Sequence, residues 1–273
     1  MTNAGVYLGH MKDQLTGTSN AGAVTHATGV KVQADSFGLD ENGNPVVSAS
    51  GKQGTTILEE AIAAGKATAV INSGIIAEPG TGAFLAEAES RGDFTGITAQ
   101  IVDSGVDVIL GGGEIHYLPV GVQGRFGEEG VREDGRNLVE EARAKGYTVV
   151  YTLEELQNLP PGTEKILGIF AAEDTYNDQP EEVNAAEGLG NYGQPGNENP
   201  PTVAQMLEAA LGIVSKNPNG FMVVMEEEGT DNFSNNNNAA GLIEAAKKGR
   251  RRNWGSAEVY RYRKSQYAVN YGC

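Results

Sequence analysis

Apolar positions along the chain follow two rhythms. Unbroken apolar runs at 67–73 (ATAVINS), 106–113 (VDVILGGG), 148–152 (TVVYT), 165–171 (KILGIFA) and 220–227 (GFMVVMEE) have the length of buried parallel strands. Between them, apolar residues recur every three or four positions at 55–65, 81–91, 96–103, 136–145, 152–159 and 202–216, the spacing of amphipathic helices. Strand and helix patterns alternate, which predicts an α/β fold with a mainly parallel central sheet flanked by helices. Ligands of such sheets gather at the carboxyl ends of the strands. The stretch 173–200 is acidic and rich in Pro, Gly and Asn, and reads as a long surface loop, either a lid or a solvated connection.

Charge divides the chain. The whole has 273 residues and a formal net charge of −16. Residues 1–246 carry 12 basic and 35 acidic side chains, whereas residues 247–273 carry 8 basic and 1 acidic. An acidic body argues against nucleic acid or an anionic membrane as the main partner. No apolar run approaches the ~20 residues of a membrane span. The opening residues lack both a charged region and a long apolar core, so they show no signal peptide. The single cysteine, Cys273, excludes an intrachain disulfide and a cysteine metal cluster. The basic stretch also holds Trp254, Tyr260, Tyr262, Tyr267 and Tyr271. It reads either as a tail that binds something anionic or as a segment foreign to the domain.

Three strand ends or helix starts could carry chemistry. Ser19 stands among small residues where a helix begins, as an N-cap or as a nucleophile facing helix N–H groups. Gly111–Gly112–Gly113 follow a strand but lack the spacing of a dinucleotide fingerprint. Glu226, Glu227, Glu228 and Asp231 gather within six residues after an apolar strand. Such acids form either a solvated loop or an oxygen-ligand site for a hard divalent metal. The three histidines, His10, His26 and His116, are too scattered for a site built from several imidazoles.

Taken in order, these segments resemble the alkaline phosphatase family over roughly residues 16–246. TSNAGAVTHATGVK resembles the family's nucleophile segment, with the serine at Ser19 and Thr18 where the family has Asp. GTGAFLAEAESR resembles the segment bearing a metal-site hydroxyl and a phosphate-binding arginine, which fall on Thr81 and Arg91. The strand-end acids resemble the family's metal segment: a magnesium glutamate falls on Glu226, a zinc aspartate on Asp231, and a zinc histidine position is occupied by Asn235. The resemblance implies zinc and magnesium, while the amide of Asn235 also suits calcium.

The same resemblance implies a metal-dependent phosphate monoester hydrolase that works through a phosphoserine, acts on a phosphate ester, often dimerises, and is exported to the periplasm or outside the cell. Activity is expected to be impaired, because segments that carry further metal ligands in the family have no counterpart here. The domain organisation expected is a partial phosphatase-like α/β domain over 1–248 and a basic, Tyr-rich tail over 249–273 with a frameshift as its origin. Two alternatives stand beside it: a non-catalytic fragment that binds a divalent cation or phosphate, and a related phosphodiesterase or sulfatase-like hydrolase.

Overall fold

The computed structural model describes residues 8–193 and 197–249. Its centre is strand β1 (Ala67–Ile75), buried along its whole length. Around it lie β2 (Val108–Gly112), β3 (Thr148–Val150), β4 (Ile166–Ile169) and β5 (Phe221–Glu226), all parallel, in the order β3-β4-β2-β1-β5. The helices are α1 (Ser19–Thr28), α2 (Ile57–Ala63), α3 (Pro79–Gly82), α4 (Phe94–Asp103), α5 (Leu138–Ala144), α6 (Leu153–Gln157), α7 (Glu181–Glu187), α8 (Val203–Val214), α9 (Gly229–Asn235) and α10 (Ala239–Gly249).

Alternating side chains split the core into two layers. Val70, Ile109 and Leu167 pack with residues of α1, α2, α4 and α5. Ala69, Ile71, Val108 and Leu110 face the other way, onto Val203, Met206, Ala210 and Val214 of α8. The sheet is therefore covered on both faces, as a parallel sheet must be. Most helices start on a side chain that satisfies a free backbone N–H. Thr56 with Glu59, and Thr202 with Gln205, form reciprocal capping boxes; Asp93, Asn137 and Thr152 cap α4, α5 and α6.

Three segments differ from the sequence pattern. The helix expected at 81–91 is only the four-residue α3 followed by turns. Tertiary hydrogen bonds replace the helical ladder there: Thr56 Oγ1 donates to the Phe84 carbonyl at 2.6 Å, and Ala88 bridges to Phe37. The expected loop at 173–200 contains α7 and is pinned in its described part by buried side chains. Tyr176 packs on Phe233, and Asn177 Nδ2 donates to the carbonyls of Gly190 and Gly193. The acidic segment beyond Glu226 is helical, not a loop, and runs through α9 into α10. Among the described residues, no helix is long and apolar enough to cross a membrane. The tail expected over 249–273 lies, apart from Gly249, outside the described residues.

Thr202→Ala should lower unfolding stability by about 1 kcal/mol, the usual cost of a lost N-cap. Urea denaturation should show a lower midpoint at unchanged slope.

Candidate functional site

Strands β1 and β5 pair with Asn72 opposite Glu226. That register sets three successive acids against three successive residues of β1. Asn72 Nδ2 donates to Glu226 Oε2 at 2.9 Å and to Thr81 Oγ1 at 3.1 Å. Its own oxygen accepts from the Gly74 N–H at 2.8 Å, which fixes the orientation of the amide. Ser73 Oγ donates to Glu227 Oε1 at 2.8 Å, and the Tyr192 hydroxyl donates to the same atom at 2.8 Å. Gly74 leaves room where a Cβ would come within 2.9 Å of Asp174 Oδ1 and 3.1 Å of Glu228 Cγ. Across the site, the Glu226 carboxylate lies where a Cβ on Gly80 of α3 would stand, so only glycine fits there.

Electrostatics follow from this crowding. Burial, reinforced by the charges of neighbouring acids, raises the pKa of Glu226 and of Glu228; the Asn72 amide opposes the rise at Glu226. The two carboxyl groups lie close enough to act directly on each other. Burial also raises Glu78, opposed by Arg91, and raises Asp174 to about 7, opposed by the Ile75 N–H. Glu227 is raised by burial against the hydrogen bonds from Ser73 and Tyr192. Lys248 sits 4.5 Å from the centre of the Tyr192 ring and adds an attractive charge on that side.

The residues singled out from the sequence fall around this cluster as follows. Thr81 is fully buried; its hydroxyl donates to the Ile76 carbonyl at 2.7 Å and accepts from Asn72. Glu226 ends β5. Asp231 and Asn235 are exposed one turn apart on α9, and Asn235 Nδ2 donates to Asp231 Oδ2 at 3.2 Å. Asp231 is close enough for its charge to raise Glu78, Glu226 and Glu228. Arg91 is paired with Glu78, Nη2 to Oε2 at 2.9 Å.

Ser19 is the first residue of α1 and is exposed. The N-cap is Thr18, whose hydroxyl turns away to the Ala34 carbonyl at 2.5 Å. Among the described residues the Ser19 hydroxyl has no hydrogen-bond partner, so it is not spent on capping. Helix α1 rests on α3, and α3 rests on β5. Ser19 is thus tied to the cluster through helix packing.

Sequence reasoning passed over Asn72, Glu78 and Asp174. Asn72 and Asp174 stand at or just past the ends of apolar strands, where the parallel-sheet rule points. Glu78 precedes the proline that starts α3, and no periodicity marks it. Of the histidines, His116 packs on Phe94 with ring centres 5.2 Å apart, and burial and Arg132 lower its pKa to about 4. It serves the core. The acids, Thr81 and the Asn235 amide make an all-oxygen donor set, the chemistry of a hard cation. Among the described residues no three His, Cys, Asp or Glu side chains converge into a preformed cage.

Asn72→Ala should strip Glu226 and Thr81 of their common donor and cost about 1–3 kcal/mol, measured by chemical unfolding. Asp174 gives a pH test. Its folded pKa lies above the ordinary value, so its contribution to stability is full below about pH 4 and is lost as pH rises through 7. Asp174→Asn should therefore gain on the parent as pH rises, by up to roughly 4 kcal/mol at pH 8. Thermal melts at pH 5 and pH 8 that move in parallel for both proteins would contradict this.

A family model described as alkaline phosphatase matches residues 2–248. The alkaline phosphatase of Escherichia fergusonii is 28% identical over 88% of this chain and 55% of its own length. The repressible alkaline phosphatase of Saccharomyces cerevisiae is 27% identical over 85% of this chain and 40% of its own. Among solved structures, the alkaline phosphatase of Thermus thermophilus superposes with a TM-score of 0.71 at 24% identity, over 90% of this chain and 45% of that one. A cold-active alkaline phosphatase from Shewanella sp. gives a TM-score of 0.61 at 25% identity, over 85% and 48%. The chain thus spans about half the length of these proteins.

Proposed function

The chain belongs to the alkaline phosphatase family, and we propose that the carboxyl end of its sheet serves phosphate monoester hydrolysis, with Ser19 as nucleophile. The observation that carries this reading is the unengaged Ser19 hydroxyl at the start of a ten-residue helix that packs on the turn bearing Thr81. Ser19 Oγ gives up its proton to solvent and attacks phosphorus in line, the phosphorus–oxygen ester bond breaks, and the departing alkoxide takes up a proton from solvent. Water then attacks the phosphoserine, which releases inorganic phosphate and restores the hydroxyl. The N–H groups of the first turn of α1 face the charge that develops on the phosphoryl oxygens. Arg91 offers them a two-pronged donor that lysine cannot copy.

Thr81, Glu226, Asp231 and Asn235 are the residues we assign to a divalent cation. Their oxygen donors suit magnesium or calcium; with an amide at Asn235 and no imidazole beside it, they do not suit zinc. When bound, such a cation supplies positive charge at the phosphoryl oxygens and favours deprotonation of the attacking hydroxyl. The protein's own part is to hold the carboxylates: Asn72 orients Glu226, and Gly80 leaves it space. The same reading takes a phosphate ester as substrate, allows a homodimer, and places the protein in the periplasm or outside the cell.

A second reading, binding of cation or phosphate without turnover, is favoured by the Asn235–Asp231 hydrogen bond, which ties up the position where the family carries a histidine. Hydrolysis of a chromogenic phosphate monoester by the full chain, with magnesium, calcium or zinc added, separates the two. We expect slow turnover with magnesium or calcium, complete loss in Ser19→Ala, and a fall of roughly 10²–10³ in Arg91→Ala. Acid-quenched protein should carry a phosphate on Ser19, detected by peptide mass spectrometry. Equal turnover in the parent and Ser19→Ala would overturn the nucleophile assignment.

A further inference from the structure

We infer that Glu78 is a positioning residue that competes with phosphate for Arg91, so that the Glu78–Arg91 pair sets the anion affinity of the site. The inference rests on the phosphate-binding reading of Arg91 given above. The geometry of the pair is lopsided. One contact, Nη2 to Oε2 at 2.9 Å, joins a side chain that is 46% exposed to one that is 15% exposed. Arg91 makes no other ion pair or hydrogen bond among the described residues, so most of its donors face solvent.

Glu78 is placed very differently. It is largely shielded from solvent and lies among like charges: Asp231 and Asp178 act on it, and it acts in turn on Glu226, Glu228 and Asp174. Arg91 is the one cation among the described residues that pairs with Glu78. Glu78 therefore depends on Arg91 more than Arg91 depends on Glu78.

A phosphate dianion arriving at Arg91 meets a guanidinium already facing a carboxylate. It must share that charge with Glu78 or draw the half-exposed arginine away from it, leaving a largely shielded carboxylate unpaired among acids. Either route weakens phosphate binding for as long as Glu78 is charged. Glutamine at position 78 keeps a hydrogen-bond acceptor of the same shape and removes the charge. It isolates competition from mere support of the arginine.

The test is titration of the full chain with inorganic phosphate by calorimetry, with melting temperature recorded for each variant to confirm folding. Glu78→Gln should bind phosphate about tenfold more tightly than the parent, while Glu78→Asp, which keeps the charge, should stay near it. In an Arg91→Ala background the gain from Glu78→Gln should shrink to about twofold or less. An equal gain in both backgrounds would mean a general field effect and overturn the inference. So would weaker binding in Glu78→Gln, the mark of a purely supportive role. Parent protein whose phosphate binding is unchanged by Arg91→Ala would remove the anion-site reading itself, and the inference with it. Parent binding lost in Arg91→Ala, with Glu78→Gln no tighter than the parent, would leave that reading standing and sink only the competition.

Discussion

Carboxylates that must be packed together without a matching number of cations are the constraint around which this molecule is organised. Glu226, Glu227 and Glu228 leave β5 in succession, and Asp174 and Glu78 approach from two other connections. Like charges at this spacing repel, and burial amplifies the repulsion. The chain answers chiefly with hydrogen-bond donors rather than with counter-ions. Asn72 and Ser73 each meet one acid, Gly74 makes room for a third, and burial raises the pKa of Glu228. A one-residue slip between β1 and β5 would turn these donors to the opposite face of the sheet and leave the acids unsatisfied.

The surrounding structure holds that register. Both faces of the sheet are sealed by apolar layers, so the strands cannot tilt to relieve the repulsion. The segment that leaves β4 is bound to α9 and α10 by amide side chains: Asn232 and Asn236 donate to Asp178, and Asn238 donates to the Gln179 carbonyl. Tyr176, Tyr192 and Phe233 form a small apolar cluster beneath those bonds. The helix that bears Asp231 and Asn235 is thereby fixed to the same platform as Asp174.

For phosphate chemistry this arrangement is one-sided. The site offers oxygen donors in abundance and one arginine, and that arginine is already engaged. A hard cation would relieve the carboxylates and prepare the site for an anion at the same time, so cation and phosphate binding are expected to favour each other. Ser19 sits outside the hydrogen-bonded cluster, on a helix whose cap belongs to Thr18. The N-cap role that its position also suggested falls to Thr18, and its free hydroxyl is what the proposed nucleophile role requires.

Local pattern was enough for much of this. Five apolar runs became five parallel strands within two or three residues of their expected limits, because a strand buried on both faces needs an uninterrupted apolar stretch wherever it lies. The family resemblance likewise rests on ordered segments that survive in the linear text, and the chain's membership of that family confirms it. What local pattern could not reach is whatever depends on neighbours distant in sequence. The 81–91 segment has helical periodicity, yet Thr81, Phe84 and Ala88 are claimed by Ile76, Thr56 and Phe37, and those bonds override the helix. Asn72 reads as one polar residue inside an apolar run, and only the register with β5, 154 positions away, makes it the donor to Glu226. Glu78 reads as one acid among many; its pairing with Arg91 and its place among other carboxylates arise only when α3 is laid against the end of β5. Composition determines how many charges the chain carries, but only the tertiary structure decides which of them must share a dry space.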